Sequence, residues 1–438
     1  MANKNIIRVA EYEKLYYDND KPFKKKHWEA LCLYHARNEI EHFQIIDRGI
    51  RFINYVGGLQ AGELTIEILP KTDRHLTTAA NCNIQHLEND DANARANWHE
   101  VLLSMLKECR FLQVHHSDKA NLNLRSNSIL DIYIQLFLEQ TEKILHEGLT
   151  KQYRKEEGNR LAMKGQLLFS KNISQNLVHQ ERFYVRHTVY NVQNKYNQLL
   201  YMTLLLISKL CNDSLIIDKA HRLLLHFPEM ATSKVTEQTF SSLAFDRKTE
   251  RYKEALLISK LLLLNYRPGI NGGSEQVIAI LFDMNMLWEE FIYHRIQKAA
   301  AGYAHMRVYR QSKKDFWYHN EYRSYKKVKP DIVVEMGEEI YILDTKWKVV
   351  DGDMPGDDDL KQLFVYNLLW NARQSFLVYP GSFNKVEGSY VHFPLSAGEK
   401  RQGDDFYSHC GLVFVNPVAE GGGLSGRIGE ELLGVLKE

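Results

Sequence analysis

The alternation of hydrophobic and polar residues predicts mainly β structure with one short helix in residues 1 to about 85. The run Ile50–Val56 is rich in β-branched and aromatic residues, and Leu64–Leu69 alternates apolar and polar residues until Pro70. A period of two is typical of a strand with one buried face. We therefore predict a hairpin with its turn at 61–63 and a break in the first strand at Gly57-Gly58.

From about residue 94 to 268, apolar residues recur at helical spacing, which predicts an α-helical region. The polar stretch His86–Asn93 indicates a boundary before it. The segment Met163–His187 is less regular and has room for strands. The predicted helices are Trp98–Phe111, Ile129–Leu149, Tyr196–Leu210 and Tyr252–Leu264.

The last part of the chain, about 305 to 417, alternates β and α patterns. A break at 271–274 precedes a predicted helix over Val277–Ala299, and three aspartates at 357–359 suit the first turn of another that runs to Trp370. Gly421 to Gly423 predict a flexible link to a short terminal helix. The predicted strands are Phe316–Glu321, Asp331–Glu335, Ile340–Lys348, Ser375–Tyr379 and Leu412–Asn416.

A length of 438 residues predicts two or three domains, which we place at 1–90 (β-rich), 91–270 (helical) and 271–438. The formal net charge is only +1, so any nucleic-acid binding must come from local patches. The five cysteines form no C-x-x-C pair, which argues against a thiolate zinc site or a disulfide framework. The N-terminus has no apolar signal core, and no apolar stretch is long enough to span a membrane, so we expect the protein in the cytoplasm.

Two carboxylates and a lysine carry the main chemical signal. Asp331 opens one apolar strand, and Asp344 and Lys346 lie two residues apart on the next. Side chains two apart on a strand share a face, so the hairpin brings all three together. Two carboxylates can hold a hard divalent cation, and an ammonium can orient a water or stabilise phosphate charge. The pattern suits metal-dependent phosphodiester hydrolysis; a charged surface hairpin is the alternative.

Further polar residues on the neighbouring helices extend this constellation. Gln362 and Tyr366 are four apart and share a helix face from which both could reach a metal or a phosphate. Glu289 is the better of two adjacent glutamates to supply a third carboxylate, and Glu290 suits a solvated face. A solvated polar helix face also explains each of these patterns.

Basic and aromatic residues interleave just before the first aspartate. Phosphate attraction by this patch and a plain solvated loop surface both fit the pattern. The basic residues are Lys313, Lys314, Arg323, Lys326, Lys327 and Lys329, and the tyrosines are Tyr318, Tyr322 and Tyr325.

These motifs resemble the PD-(D/E)xK nuclease signature with its Q-x-x-x-Y extension, and the chain as a whole resembles McrC, the nuclease subunit of McrBC-type modification-dependent restriction systems. The resemblance follows the same order over most of the chain. It departs from the family pattern at Arg186–Asn191, where acidic residues are expected. The other stretches that carry it are Tyr55–Gly57, Ile66–Lys71, Gly148-Leu149 with Tyr153, Phe245–Arg247 with Tyr252, and Asn285–Phe291.

The resemblance implies an α/β multidomain fold whose C-terminal part is a restriction-endonuclease-like mixed sheet flanked by helices. It implies DNA cleavage with one or two Mg²⁺ ions bound by Asp331, Asp344 and Glu289, with Lys346 assisting the attacking water and Gln362 and Tyr366 in the catalytic set. It also implies an AAA+ GTPase partner, McrB, that recognises methylated DNA and translocates. The chain itself has no G-x-x-x-x-G-K-[ST] loop. The N-terminal β region and its helical neighbour would then dock onto that partner.

Two other functions stay open at this point. One is a binding subunit that mainly stimulates a partner GTPase, with a secondary or inactive nuclease site. The other is a stand-alone nuclease that acts on branched or damaged DNA or on RNA.

Overall fold

The computed structural model of the chain describes residues 6–18, 20–37, 41–70, 87–111, 128–266, 277–348, 350, 354–390, 409–419 and 422–437. The predicted break at 271–274 and Lys71 lie outside these residues. Within them, no helix is both long and apolar enough to cross a membrane.

The N-terminal part contains a four-stranded and a three-stranded sheet with one helix packed nearby. The strand orders are β1-β6-β5-β10 and β2-β4-β3, and β1 runs parallel to β6 while the other pairs are antiparallel. The predicted turn and second strand are confirmed in the β5–β6 hairpin, but its first strand is Tyr55–Ala61, and residues 50–52 of the predicted strand belong to β4 in the other sheet. The elements are β1 Ile6–Ala10, β2 Lys14–Tyr16, α1 Lys25–Arg37, β3 Phe43–Ile46, β4 Gly49–Phe52, β5 Tyr55–Ala61, β6 Leu64–Leu69 and β10 Val277–Asp283.

The predicted break at Gly57-Gly58 is wrong, because both glycines lie inside the continuous strand β5. Gly57 has φ +136°, and a Cβ atom there would lie 2.1 Å from the carbonyl oxygen of Ile280 on β10. Glycine is therefore required by the close approach of a neighbouring strand rather than by a turn.

The predicted helix Val277–Ala299 is wrong over its first seven residues, which form β10. β10 pairs antiparallel with β5, and the helix begins only at Met284, where Asp283 accepts a hydrogen bond from the Asn285 amide. A short, continuous apolar run fits a buried strand and a buried helix equally well. Sheet pairing with a segment more than 200 residues earlier decides between them.

The helices predicted in the middle region are confirmed: α3, α5 and α8 differ by at most two residues at their ends, whereas α2 begins eleven residues before the predicted Trp98. Ser128 and Asp131 form a capping box at the start of α3, and Gly148 caps its end. The second helix begins at Leu87, so it runs through the predicted boundary at 86–93. The helices are α2 Leu87–Glu108, α3 Ile129–Glu147, α4 Phe169–Asn176, α5 Lys195–Leu210, α6 Ser214–His226, α7 Glu237–Ser241, a 3-10 turn Glu250–Tyr252 and α8 Lys253–Asn265.

A small antiparallel sheet lies within the irregular segment between α3 and α5. Its strands are β7 Gln152–Arg160, β8 Gln166–Leu167 and β9 Phe183–Asn191, in the order β7-β9-β8. Together with α4 it exposes large apolar side chains, which include Tyr153, Leu161, Met163, Phe169, Ile173, Leu177 and Val178. We call this region the exposed middle sheet.

The C-terminal part is a six-stranded mixed sheet in the order β11-β14-β15-β16-β18-β17. Its central strands β15, β16 and β18 are parallel, and the remaining pairs are antiparallel. The elements of this part are α9 Met284–Ala300, β11 Met306–Arg310, β12 Lys314–His319, β13 Ser324–Val328, β14 Ile332–Met336, β15 Glu339–Thr345, α10 Asp357–Trp370, β16 Gln374–Pro380, β17 Asn384–Val386, β18 His409–Val415 and α11 Ile428–Lys437.

Helices cover both faces of this sheet. Ile342 of β15 packs in the same cluster as Leu363 and Tyr366 of α10, whereas the next residue, Leu343, packs in the cluster that contains Trp288 of α9. Successive residues therefore face opposite helices. Residues 422–425 do not form an open linker: the amides of Gly422 and Ser425 donate hydrogen bonds to Ala419 and Pro417. The predicted terminal helix is confirmed as α11.

One of the apolar clusters contains residues from all three predicted parts. The ring centroid of Trp347 lies 5.1 Å from that of Trp288 and 6.2 Å from that of Trp98. Trp347 also donates a 2.8 Å hydrogen bond to Glu11. These contacts join α2, α9, the end of β15 and the N-terminal strands. The division at residues 90 and 270 stays a prediction, but the chain packs across both positions.

Candidate active site

The carboxyl end of β15 brings Asp344 and Lys346 together. Lys346 lies just beyond the strand, but its amide still donates to Val378 of β16, so the extended course continues. Its Nζ lies 2.7 Å from Asp344 Oδ2. Asp344 is 1% exposed, while the Lys346 side chain is 23% exposed. A buried acid therefore faces a partly exposed ammonium at the carboxyl end of a central strand.

Asp331 reaches the same place from the neighbouring strand. Its Oδ2 accepts hydrogen bonds from the amide and hydroxyl of Thr345, at 2.7 and 2.9 Å. These bonds fix the carboxylate beside the end of β15. The two aspartates and the lysine thus converge, as strand alternation predicts, although their catalytic roles stay a prediction.

The electrostatics of Asp344 are those of an acid that lacks positive charge. Burial, and then the negative charge of Asp331, raise the pKa of Asp344 well above its usual range, against the opposing effect of Lys346. Lys346 Nζ lies 2.7 Å from Asp344 Oδ2 but also 3.4 Å from Asp359 Oδ1, so two carboxylates share this ammonium while Asp331 adds further negative charge. An additional cation would offset this excess of negative charge.

Gln362 and Tyr366 reach back to the site through Lys346. Lys346 Nζ donates to Gln362 Oε1 at 3.3 Å, Gln362 Nε2 donates to Tyr366 Oη at 2.6 Å, and Tyr366 donates to the Lys329 carbonyl at 3.0 Å. Burial raises the pKa of Tyr366 to about 12, so it remains a donor. The pair orients the lysine, and its contact with a metal or phosphate stays a prediction.

Asp359 belongs to the site, and sequence reasoning missed it. Its Oδ1 lies 3.4 Å from Lys346 Nζ, and its Oδ2 accepts a hydrogen bond from Lys348. Burial by itself would lower the pKa of Lys346, but Asp344 and Asp359 raise it overall. The available signal was helical spacing: Asp359 lies three residues before Gln362 and seven before Tyr366.

Glu289 of α9 lies on the Asp331 side of the site. It accepts a 2.7 Å hydrogen bond from Gln311, whose own amide donates to the Asp331 carbonyl oxygen at 2.9 Å. Burial, and then the charge of Asp331, raise the pKa of Glu289. Glu290 is not a solvated side chain, because it is only 12% exposed and pairs with Arg310 and His294. Gln311 and Arg310 are contacts that the sequence did not reveal.

The donor set suits a divalent cation held partly by water. Among the described residues, no three carboxylates, imidazoles or thiolates lie close enough to form a complete metal site. Mg²⁺ in particular keeps several waters and uses one or two carboxylates plus substrate phosphate. Asp331 and Asp344 supply that minimum, and the excess of negative charge around the buried Asp344 fits such an ion.

The fold and the site define a mixed α/β protein with charged residues gathered where the central strands of its C-terminal sheet end. The same fold occurs in a refined half-complex of Thermococcus gammatolerans McrB AAA+ hexamers with bound McrC, with a TM-score of 0.64 and 18% identity over 99% of both chains. At that identity the likeness establishes the fold.

The family follows from sequence matches. The model of the McrBC 5-methylcytosine restriction system component matches residues 50–380, about three quarters of the chain. A relative from Escherichia coli K12, the type IV methyl-directed restriction enzyme EcoKMcrBC, is 23% identical over 288 residues, or 62% of this chain and 83% of that protein. The chain therefore belongs to the McrBC family of restriction-system components, which confirms the family predicted from its motifs.

Proposed function

We propose that this chain is the DNA-cleaving subunit of its restriction system and hydrolyses phosphodiesters with Mg²⁺. The observation that carries the proposal is the convergence of Asp331, Asp344 and Lys346 at one strand end, with Lys346 Nζ 2.7 Å from a buried carboxylate. Burying an under-satisfied acid costs stability and calls for a functional reason.

Each residue of the site has a distinct task in this proposal. Asp331 and Asp344 would hold Mg²⁺, with Glu289 as the third candidate ligand. When bound, the ion supplies Lewis-acid stabilisation of phosphate charge and lowers the pKa of a bound water. Lys346 remains charged beside Asp344 and Asp359, and can orient the attacking water or neutralise a phosphate oxygen. Gln362 and Tyr366 would fix the position of the Lys346 ammonium through their hydrogen bonds.

Cleavage assays with three variants test this proposal. The assay uses plasmid DNA containing 5-methylcytosine, a partner GTPase, GTP and Mg²⁺. Lys346→Ala and Asp344→Asn are expected to lower the cleavage rate by about a hundredfold or more. The matched control is Asp358→Asn, because Asp358 is adjacent to Asp359 but its side chain is fully exposed. Cleavage by Asp344→Asn at the wild-type rate would remove the site from the mechanism.

The proposal includes an AAA+ GTPase of the McrB type as the partner that recognises modified DNA and translocates. The exposed middle sheet supports a protein partner, since it presents a set of large apolar residues to solvent: Val178 is 86% exposed and Tyr153 75%. Large apolar side chains exposed in such number in one region are typical of protein contact sites. This surface lies within residues 91–270, the helical neighbour that the resemblance implies docks onto the partner together with the N-terminal β region.

The same surface favours a second candidate function, in which the chain mainly stimulates the partner GTPase. The two functions separate when GTP turnover and DNA cleavage are measured in parallel. Stimulation that persists while Mg²⁺-dependent cleavage is absent from the wild type would favour this reading. Cleavage by the chain alone without nucleotide would instead favour the stand-alone nuclease.

A further inference from the structure

The hairpin β12–β13 exposes aromatic rings on both of its faces. The register places Tyr318 opposite Tyr325 and Trp317 opposite Lys326, so the two pairs lie on opposite faces. Trp317 is 52% exposed, Tyr325 57% and Phe316 54%. Rings that stay in water contribute little to the free energy of folding, so their exposure indicates a binding surface.

The charge of this hairpin is strongly positive in an otherwise balanced chain. Residues 313–329 contain six basic and two acidic side chains, whereas the whole protein carries a net charge of only +1. Lys327 pairs with Asp315 at 3.5 Å across the strands, and both of these side chains are more than half exposed. The combination of aromatic rings and lysines matches the surfaces that bind single-stranded nucleic acid, in which rings stack on bases and cations contact phosphates.

The base of the hairpin is fastened to the candidate active site. Lys314 donates a 2.7 Å hydrogen bond to the Leu369 carbonyl at the end of α10, and its Nζ lies 4.9 Å from the centre of the Trp370 ring. At the other strand, the Tyr366 hydroxyl donates to the Lys329 carbonyl, two residues before Asp331. The base of the hairpin is therefore held against α10, the helix that also carries Gln362 and Tyr366 of the candidate site.

We propose that the β12–β13 hairpin binds unpaired bases of a DNA strand next to the cleavage site, so that locally opened DNA is the preferred substrate. In an intact duplex the base faces are stacked on one another, which leaves only phosphates and groove edges for the hairpin. Rings on both faces of a ribbon match bases that have left the stack. This inference relies on the proposed function for the identity of the adjacent site, but its binding step needs no cleavage.

Binding in EDTA tests the hairpin without cleavage. The probes are a labelled 20-nucleotide single strand, its duplex and a duplex with an unpaired bubble, measured by fluorescence anisotropy. Trp317→Leu and Tyr325→Leu remove a stacking ring but keep apolar volume, and each is expected to weaken single-strand and bubble binding by about tenfold. Trp317→Phe and Tyr325→Phe keep a ring and are expected to stay within about threefold of wild type.

The salt dependence separates stacking from phosphate contacts. Lys326→Gln is expected to lower the slope of log affinity against log salt by about one, while the leucine variants leave the slope unchanged. The matched control is Tyr16→Leu, which removes a 51% exposed tyrosine from the N-terminal sheet and is expected to change nothing. Circular dichroism and thermal melts establish that the variants fold.

Three results would overturn the proposal. They are wild-type protein that does not bind the single strand at tens of micromolar, leucine variants that bind it as wild type does, and leucine variants that lose only GTPase stimulation, which would make the hairpin a protein contact. If ring-dependent binding is found while wild-type protein with its partner cleaves nothing, the proposed nuclease function fails and the binding inference stands.

Discussion

Two buried carboxylates in different regions of this protein have opposite electrostatics. Glu67 of β6 and Asp344 of β15 are 0% and 1% exposed. Glu67 is surrounded by partners: Arg8 donates to it at 2.7 Å, the Ile129 amide at 3.0 Å, and His99 Nδ1 lies 3.0 Å away. Burial alone would raise the pKa of Glu67, but the contacts with His99 and Arg8 lower it overall.

For Asp344, burial and neighbouring negative charge outweigh the effect of its cationic partner, and its pKa is raised. Its nearest partner is the Lys346 ammonium, which it shares with Asp359, and Asp331 adds a second negative charge. The comparison teaches that burial by itself does not identify a functional acid. Glu67 with its matched partners ties β1, β6, α2 and α3 together, whereas Asp344, with more negative than positive charge around it, is the stronger candidate for a functional role.

The largest expected effect separates the two acids by function. Asp344→Asn is expected to lower cleavage by about a hundredfold or more, because the charge proposed to hold the metal is lost, while the free energy of unfolding changes by less than about 1 kcal/mol. Urea denaturation alongside the cleavage assay measures both quantities. A large loss of stability in this variant would make Asp344 a structural acid like Glu67.

Glu67→Gln is the reciprocal variant. It removes the charge that satisfies Arg8 and His99, so we expect the free energy of unfolding to fall by about 3 kcal/mol. Urea denaturation at pH 7 gives the value, and cleavage measured below the new melting temperature should remain near wild type. Unchanged stability would show that these contacts contribute nothing net.

Acid titration sharpens the same contrast. Because the folded pKa of Glu67 is lowered, its charge stabilises the fold above the unfolded pKa of about 4.3, and that stability is lost as the pH falls through the folded value. The difference in unfolding free energy between wild type and Glu67→Gln should therefore shrink below about pH 4. A difference that stays constant from pH 7 to pH 3 would contradict this assignment.

Metal binding should stabilise the folded protein through Asp344 and not through Glu67. At a concentration of about 100 times its dissociation constant, Mg²⁺ is expected to add about 2.7 kcal/mol to the unfolding free energy of wild type. The gain should persist in Glu67→Gln and vanish in Asp344→Asn, as measured by thermal melts with and without EDTA. Equal gains in all three proteins would place the ion elsewhere.

The smallest expected effect concerns the orientation of the lysine. Tyr366→Phe breaks the chain of hydrogen bonds from Lys346 through Gln362 to the Lys329 carbonyl. We expect cleavage to fall by about tenfold with little change in substrate binding, since the lysine remains present but less well oriented. A single-turnover rate equal to that of wild type would show that Gln362 holds the lysine without help.

Local spacing of residues along the sequence was sufficient to predict much of the fold and the pairing of Asp344 with Lys346. The helical period predicted α3, α5 and α8, and strand alternation correctly placed Asp344 and Lys346 on one face. Where the local signal was ambiguous, prediction failed. The apolar run 277–283 fits either a strand or a helix. The two glycines of β5 are typical of a break in a strand, and only the close approach of β10 shows why they lie inside one.

By itself, the sequence determined the family, the hairpin that carries two aspartates and a lysine, and the face on which the charged side chains lie, because these follow from local spacing along one strand or helix. Only the tertiary structure decided which acid is satisfied and which is not. Glu67 contacts His99 and Ile129, and Lys346 contacts Asp359, through packing between separate strands and helices. Burial and the sum of neighbouring charges depend on those meetings, and no local pattern encodes them.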